Sequence, residues 1–557
     1  MKTKNTKRAA NLLAIPLSLA LMLTGCGGEP STQEPGAAKE PESSSAAESS
    51  TPSEAAEGVV NKTNLEGLPI AAEPITLTVG VSASSSSFQG EWASLDWIKQ
   101  IQEVSGITLD FRVYNSNEDK NLMFTSRDYP DISFNVGSDK QILDAAMGGD
   151  IYALDELIDS YAPTWKAYLE KDDYARKVVT MSDGHIYSLP IVRDEPSNGG
   201  LRDQWLIQKT WLDELNLQVP TTTDEFYEVL KAFKENAGTG SIPQDVIPYY
   251  TYGILNNVGG ALDIINSYGV RVANERYMVT VDDSGKVEFN YANEAIKEPL
   301  AFIRKLFEEG LIPGECLTDD WDTYITKTRS TPAVVGSYHS YQNPDATNTS
   351  IVAMGPLDSG NGSQPMIRSQ TNHVQRNHFT IYKNCEHPEA AMRLAELIAD
   401  PDWSIQAMYG MFGDTYLTKN ENGSVMMLPY EADAQGKDSA PMNRVPFLLA
   451  KEMFDTFTYA EGSAQAQRDN AIKDQYSKYT IPTENLYPNV MFSTEQVDRL
   501  AELSTDIGDY VLTTYSTWML NGGMDAGWDA YIEQLDKLGL EEYISILQEA
   551  LDAFNAN

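Results

Sequence analysis

The chain is long and acidic: its 557 residues carry 81 Asp and Glu against 41 Lys and Arg, a formal net charge of −40. This charge argues against nucleic acid or anionic lipid as a partner, because both are bound through basic patches. The length exceeds what one hydrophobic core organises and predicts two lobes or domains. Aromatic residues make up 10% of the chain, which leaves rings for a binding surface after the cores are filled.

The first 25 residues have the pattern of a secretory signal peptide. Four basic residues and no acidic one lie in the first eight positions, and the apolar run at 12–23 is too short to span a bilayer. The run ends in Leu-Thr-Gly before Cys26, which resembles the lipobox of bacterial lipoproteins. We therefore expect a signal peptide at 1–25 and a lipid anchor on Cys26, at the extracellular face of the cytoplasmic membrane of a Gram-positive bacterium. The alternative is an ordinary signal peptide with an incidental cysteine.

The segment after Cys26 is poor in residues that build a core. Residues 27–58 are mainly Ser, Ala, Pro, Gly and Glu, with seven glutamates, one lysine and no aromatic residue. Such a segment cannot bury enough apolar surface to offset the entropy of ordering. We expect residues 26–70 to form a lipidated, disordered tether.

Beyond the tether, strand and helix patterns alternate. The first set comprises a strand at 75–81, a helix at 92–104, a strand at 107–113, a helix around 119–124, a strand at 131–136, a helix at 140–147 and a strand at 186–192. This order predicts a parallel sheet with helices packed on its faces.

A second set follows the polar stretch at 193–200. It comprises a strand at 204–207, helices at 209–215 and 221–233, strands at 331–337, 351–354 and 379–382, and a helix at 388–399. Thr222, Thr223 and Asp224 offer N-cap oxygens for the helix at 221–233, and Glu225 favours its dipole. The last 65 residues are predicted to be almost wholly helical.

Only Cys316 and Cys385 remain once Cys26 is set aside. They could pair in an oxidising exterior, but two cysteines in a body of this size do not form a disulfide framework. We expect both to be unpaired and at least partly buried.

Five motifs follow one another in order from about residue 70. They are RDYPDI at 127–132, WLDELNLQVPTTTDEF at 211–226, LFEEGLI at 306–312, YGMFGDTY at 409–416 and a helix pair at 528–550. Together they resemble the extracellular solute-binding proteins of bacterial carbohydrate ABC transporters, in the large lipoprotein branch of Gram-positive bacteria. The second motif is the most specific match.

The resemblance implies an α/β protein with the two-lobe, type II periplasmic-binding-protein (Venus flytrap) fold and a helical C-terminal region. Ligand binds in the cleft, the lobes close on it, and the closed form docks on the permease subunits. We expect lobe I at 71–195 plus about 355–415, lobe II at 196–354 plus about 416–557, and a monomer.

One departure from the resemblance concerns metal. Some relatives with uronate ligands carry a calcium loop, Asp-x-Asn-x-Asn-Gly, at the position that matches residues 236–245. Here only Asp245 is acidic, whereas calcium takes six or more oxygen ligands, several of them charged. We expect no calcium there and no other metal or cofactor.

A carbohydrate site needs aromatic faces that stack on pyranose C–H groups and planar polar groups that bond paired hydroxyls. Ligands of such folds sit beyond the carboxyl ends of strands. The candidates are therefore polar and aromatic residues next to predicted strands: Gln89, Trp92, Arg202, Asp203, Trp205, Tyr252, Trp321, Tyr338 and His339. Trp92 and Trp205 fit a core position as well, and residues 319–322 also fit a solvated acidic loop.

A surface-tethered glycosidase or polysaccharide lyase would share the lipobox, the acidity and the aromatic cleft. The sequence lacks the HExxH, GxSxG and GxxxxGK motifs. That absence excludes little among glycosidases, so the family resemblance is what favours binding over catalysis. A further alternative is binding of a peptide or another solute by the same fold.

Overall fold

The computed structural model describes residues 58–82, 91–194, 203–256, 259–273, 277–340, 350–367, 373–413, 417–428 and 440–556. The signal peptide, Cys26, Gln89 and Arg202 lie outside these residues. Among the described helices, none combines the length and apolar character needed to cross a bilayer.

The described strands are β1 (Val59–Val60), β2 (Thr63–Asn64), β3 (Ile75–Ser82), β4 (Ile107–Tyr114), β5 (Ile132–Phe134), β6 (Leu189–Arg193), β7 (Gln204–Gln208), β8 (Ile247–Tyr249), β9 (Thr280–Val281), β10 (Val287–Glu288), β11 (Val335–Ser340), β12 (Ile351–Met354), β13 (Val374–Ile381), β14 (Leu417–Lys419), β15 (Val425–Met427), β16 (Leu448–Leu449) and β17 (Phe457–Tyr459).

The described α-helices are α1 (Asp96–Ser105), α2 (Asn117–Ser126), α3 (Asp139–Met147), α4 (Asp155–Tyr161), α5 (Pro163–Lys171), α6 (Asp173–Val179), α7 (Lys209–Glu214), α8 (Thr223–Glu235), α9 (Leu262–Ser267), α10 (Lys297–Glu308), α11 (Trp321–Thr328), α12 (Pro388–Ala399), α13 (Pro401–Tyr409), α14 (Ala464–Ala471), α15 (Thr494–Asn521), α16 (Met524–Lys537) and α17 (Leu540–Ala556).

The first sheet has six strands in the order β16-β6-β13-β5-β3-β4. Strand β3 pairs in parallel with β4 and β5, as the alternation of strands and helices predicted. Strand β13 runs antiparallel to both β5 and β6. Strand β6 is therefore parallel to β3, β4 and β5, as predicted for these four strands, and β13 is the antiparallel strand between β5 and β6.

The second sheet has four strands in the order β12-β7-β11-β8. Strand β7 is antiparallel to β11 and β12, whereas β11 and β8 are parallel. The carboxyl ends of β8, β11 and β12 therefore meet the amino end of β7 at one edge. We call this the carboxyl edge of the second sheet.

Each sheet has its own hydrophobic core. The first core contains Trp97 of α1 and Leu394 of α12, and the second contains Phe226 of α8 and Leu503 of α15. The chain passes between the cores after Asp194, after Ile367 and after Tyr459. The body is thus the expected two-lobe α/β fold, and helices α15 to α17 confirm the predicted helical C-terminal region.

The packing corrects the expected lobe boundaries in the middle of the chain. Leu417, Val425 and Phe457 belong to the first core, although residues 416–557 were assigned to lobe II. Leu357 belongs to the second core, although 355–415 was assigned to lobe I. The small strands β14, β15 and β17 pair with one another and pack on the first lobe, which no motif in this segment indicated.

The folded body begins earlier than the expected tether boundary at residue 70. Strands β1 and β2 form a hairpin, and Thr63 is fully buried. Arg393 of α12 donates hydrogen bonds to the main-chain oxygens of Asn64 and Gly67. A soluble form of the protein should therefore start before Gly58.

Helix α8 begins where the sequence places its cap. The Thr222 hydroxyl accepts a hydrogen bond from the Glu225 amide, and the Glu225 carboxylate accepts from the Thr222 amide, which completes a capping box. Hydrogen bonds from the Thr221 amide and hydroxyl hold the pKa of Glu225 below its usual value. This cap fixes the helix that covers Trp205 in the second core.

Both cysteines of the body are unpaired and buried, as predicted, one in each core. Burial raises the pKa of Cys316 to about 12 and that of Cys385 to about 12. The thiolate is the reactive form of cysteine. We therefore expect no labelling by a thiol reagent in the native soluble body and two equivalents after unfolding in urea. Rapid native labelling of either cysteine would contradict this placement.

His378 of β13 is buried and donates from Nδ1 to the main-chain oxygens of Gln375 and Arg376. Burial lowers the pKa of His378 to about 4, from an unfolded value near 6.5. As the pH falls, His378 therefore takes up a proton in the unfolded chain before it does so in the folded protein. Above pH 6.5 the ring is neutral in both states, and the fold has its full stability with respect to this group. We expect roughly 3 kcal/mol of this stability to disappear as the pH falls from 6.5 to 4.

Urea unfolding at pH 7 and pH 4.5 checks this expectation, with His378→Asn as the matched variant. The asparagine amide keeps a donor near Nδ1 but does not titrate in this range. The variant should lose less stability than the unmodified protein between the two pH values. Identical losses would show that His378 does not contribute.

Candidate functional site

The carboxyl edge of the second sheet brings together segments that are far apart in sequence. Asp203 precedes β7, Tyr250 and Tyr252 follow β8, and His339 lies at the end of β11. Because β7 runs opposite to its neighbours, its beginning meets their ends. Three of the predicted site residues, Asp203, Tyr252 and Trp321, lie near one another at this edge.

Three aromatic rings form a stack at this edge, which we call the aromatic stack: Tyr250, Tyr324 and Trp321. The Tyr250 and Tyr324 centroids are 5.3 Å apart at an interplanar angle of 17°, and the Tyr324 and Trp321 centroids are 5.5 Å apart at 21°. Tyr252 meets Trp321 edge to face at 5.6 Å. Tyr250 and Tyr324 are buried, whereas Trp321 and Tyr252 are half-buried. Trp321 is therefore the outer end of the stack.

The middle ring of the aromatic stack, Tyr324, is held in place by the main chain of His339 and by Gly259. The Tyr324 hydroxyl donates a 2.6 Å hydrogen bond to the main-chain oxygen of His339. Gly259 lies against the Tyr324 ring, where an added Cβ would come within 2.8 Å of Cζ, and its positive φ of 68° suits glycine. The Gly259 amide donates to Oδ2 of Asp203 at 3.3 Å. Asp203 thus holds the turn against which the ring packs.

The inner end of the stack carries a charged pair. Tyr250 donates its hydroxyl proton to Asp319, which also accepts a hydrogen bond from Lys327. Burial acts to raise the pKa of Asp319, but the bonds from Lys327 and Tyr250 outweigh it and hold that pKa below its usual value. The Lys327 ammonium lies 4.7 Å from the Tyr250 ring centroid. Asp319 is therefore an ionised acceptor.

Trp205 and His339 are core residues, contrary to the expectation that they bind ligand. The Trp205 ring is fully buried, stacks on His339 at 4.9 Å and meets Phe226 edge to face. The His339 imidazole is enclosed, with Nε2 3.0 Å from Oδ2 of Asp263 and Nδ1 3.4 Å from the Tyr249 hydroxyl. Neither ring offers a face to a ligand.

Trp92 and Tyr338 are also assigned to the cores by the structure. Trp92 is buried in the first core and stacks on Phe111 at 5.6 Å. Tyr338 is 1% exposed and belongs to the second core. Trp92 lies in a 3₁₀ turn before α1 and Tyr338 lies within β11, so neither follows a strand end directly, and the sequence rule gave no information on their burial.

The first lobe presents Asp194 at the corresponding edge of its own sheet. This half-buried residue follows β6, and its amide donates to the main-chain oxygen of Leu449. Burial raises the pKa of the Asp194 carboxyl. His373 precedes β13 at the same edge and stacks on Tyr174 at 4.9 Å.

The loop at 236–245 is held by a protein carboxylate. The Ser241 amide donates a 2.9 Å hydrogen bond to Oε2 of Glu214. Across the described ranges, no three His, Cys, Asp or Glu side chains are placed to hold a metal ion.

Tyr324 and Tyr250 are the stack residues that the sequence did not single out. Tyr324 lies three residues after Trp321 on α11, a spacing that puts both on one helix face. Tyr250 belongs to the run of three tyrosines after β8. Both features are visible in the sequence. They indicate residues on one face of an element, but not that rings of α11 stack on a ring from the segment after β8.

The protein has two lobes, each built on a sheet, and an aromatic stack at the carboxyl edge of the second sheet. This is the arrangement of a bacterial solute-binding protein of the two-lobe type. The family of bacterial extracellular solute-binding proteins matches residues 96–405. The chain belongs to this family.

Relatives and solved structures agree with this membership. FusA of Streptococcus pneumoniae, a fructooligosaccharide ABC transporter substrate-binding protein, is 29% identical over 474 residues, 83% of this chain and 87% of FusA. The lipoprotein LipO of Bacillus subtilis is 25% identical over 371 residues, 58% of this chain and 70% of LipO. The structure of FusA with kestose has a TM-score of 0.75 at 27% identity and covers 86% of this chain and 100% of that one. The alginate-binding protein AlgQ2 without calcium has the same fold, with a TM-score of 0.65 at 21% identity, covering 86% of this chain and 98% of that one.

Proposed function

We propose that this protein is the substrate-binding component of an ABC importer, which captures an oligosaccharide between its lobes and delivers it to the permease subunits. The aromatic stack carries the proposal. Trp321 presents a half-buried ring at the cleft edge, backed by two further rings, and Asp203 and Asp319 lie close by. A flat ring beside polar groups is the arrangement that recognises a sugar, apolar on one face and hydroxylated at its rim.

The polar groups near the stack suit binding rather than catalysis. A glycosidase needs a carboxylic acid whose pKa is raised so that it can protonate the leaving oxygen. At the stack, Lys327 and Tyr250 hold the pKa of Asp319 low. The Asp203 carboxylate accepts a hydrogen bond from the Gly259 amide. Asp319 is therefore an acceptor for sugar hydroxyls, and Asp203 supports the turn on which the stack packs.

The relatives support a carbohydrate over a peptide. FusA is named for fructooligosaccharides, and the Bacillus subtilis protein YtcQ, 26% identical over 220 residues, is named for polygalacturonan and rhamnogalacturonan. In this proposal Trp321 and Tyr252 hold the sugar on the second lobe, and closure brings the first lobe toward it. Lipidation of Cys26 would keep the protein at the membrane surface beside its permease.

Native mass spectrometry tests the proposal. A soluble form beginning at residue 55 would be incubated with neutral oligosaccharides, uronate oligosaccharides and short peptides. An intact oligosaccharide complex with no shortened sugar in solution supports capture. Shortened sugars would show an enzyme, and a complex with peptide alone would show a different ligand class.

A further inference from the structure

A second groove opens between the first lobe and the segment that leads back to the second lobe. Its volume is about 720 Å³, within the usual range for small-molecule sites. One wall is a row of rings, Phe454, Phe457 and Tyr459, with successive centroids 5.8 and 5.4 Å apart. The opposite wall carries Asn470 and Lys473. We call it the distal groove.

The chemistry of the distal groove resembles that of the aromatic stack. An aromatic wall faces amide, ammonium and carboxylate groups, so both donors and acceptors are available to hydroxyls. The rings stand side by side along β17 and the 3₁₀ turn before it. Such a wall fits an extended ligand with repeated apolar faces better than a single compact ion.

The distal groove and the aromatic stack lie along one edge. Tyr476, between the groove residues Ile472 and Ser477, donates its hydroxyl proton to the main-chain oxygen of Met354 at 2.7 Å and accepts from the Trp205 amide at 3.1 Å. The helical turn that lines the groove at Ile472 and Lys473 therefore reaches β12 and β7 through Tyr476, whereas the stack adjoins β8 and β11. Three strand spacings separate β12 from β8, about 14 Å. One sugar ring does not bridge this distance.

We propose that the distal groove binds the far units of the same oligosaccharide whose near unit stacks on Trp321. This inference rests on the proposed function and extends it: the cleft selects chains longer than a disaccharide. The near unit is held by rings with buried support, and the units that extend beyond this span gain contact with the aromatic wall formed by Phe454 and Tyr459. Affinity should therefore rise with chain length until the groove is filled.

Calorimetry with fructooligosaccharides of two to five units tests the inference, using the unmodified protein and three variants. Tyr459→Ala removes a half-buried ring of one wall, and Asn470→Ala removes an exposed amide of the other, which keeps the test valid if the first variant folds poorly. Tyr187→Ala is the matched control, because Tyr187 is half-buried and precedes β6 at the opposite edge of the first sheet.

We expect Tyr459→Ala to weaken binding of the four- and five-unit sugars about tenfold, the loss typical of one aromatic contact. Asn470→Ala should act in the same direction, and neither variant should change disaccharide binding. An equal loss at every length, or none at the longest, would overturn the distal groove while leaving oligosaccharide capture in place. No binding of any length by the unmodified protein would overturn both for this sugar class.

Discussion

Trp321→Ala should weaken oligosaccharide binding by about 30- to 150-fold, the 2 to 3 kcal/mol typical of an aromatic anchor at a binding site. Trp321 is the outer ring of the stack, so its removal takes away the surface on which the sugar lies. Tyr324 cannot replace it, because its hydroxyl is bonded to the main-chain oxygen of His339 and its ring packs on Gly259. Unlike the distal-groove variants, this change should weaken every chain length.

Trp403→Ala is the matched control for this prediction. Trp403 is also half-buried, but it packs edge to face on Trp97 beside the first core, with centroids 5.8 Å apart. Isothermal calorimetry should show unchanged affinity for the control, and circular dichroism should show native spectra for both. If Trp321→Ala binds as tightly as the unmodified protein, the aromatic stack is not the sugar platform. Trp321→Phe should recover part of the affinity, since a smaller ring still offers a flat face.

Much of the fold was accessible from local patterns. The short runs rich in β-branched residues that form β3 and β4 are bounded and correctly placed, as is the short run that forms β7. The capping box at Thr222 and Glu225 fixed the start of α8 to within a residue or two. The motif at 211–226 spans α7 and this cap, which explains why it was so specific.

The direction of β13 and the lobe boundaries could not be predicted from such local patterns. Hydrophobic periodicity shows that a strand is buried, but not which neighbour it pairs with or in which direction. Strand β13 enters from the second lobe and lies antiparallel between β5 and β6. The segment at 417–459 returns to the first lobe through short strands with weak patterns of their own.

The candidate site, too, could be predicted only in part from the sequence. Position next to a strand end is visible in sequence, and Asp203 and Tyr252 lie at such ends, beside β7 and β8. Burial is not visible, because both faces of the second sheet are covered. Trp205 and His339 share one face, Leu206 and Tyr338 share the other, and all four are buried. A ring beside a strand end is thus as often a core residue as a contact.

His339→Leu should destabilise the second lobe by about 1.5 to 3 kcal/mol, the cost of removing one partner of a buried polar pair. Its imidazole lies 3.0 Å from the Asp263 carboxylate, and both side chains are essentially inaccessible. Leucine matches the volume of histidine approximately but offers no donor, so Asp263 would remain in an apolar setting. Urea unfolding followed by circular dichroism measures the loss.

A surface pair of the same type supplies the control. His185 lies 3.1 Å from Asp155, and its side chain is 54% exposed, so His185→Leu should cost no more than about 1 kcal/mol. The double variant His339→Leu, Asp263→Leu removes both polar groups and should recover most of the stability lost by His339→Leu. If the double variant is no more stable than the single one, the loss comes from packing around Trp205 rather than from the lost contact between the imidazole and the Asp263 carboxylate.

The same variant separates the two roles considered for His339. The Tyr324 hydroxyl is bonded to the main-chain oxygen of residue 339, which leucine retains. Below the unfolding temperature, His339→Leu should therefore bind oligosaccharide within a few-fold of the unmodified protein, far from the loss expected for Trp321→Ala. Full stability with a large loss of affinity would mean that the imidazole meets the ligand, as its position beside the strand end suggested. A large loss of stability with retained affinity would place the His339–Asp263 pair beneath the site, as a support for the sheet edge on which the aromatic stack is built.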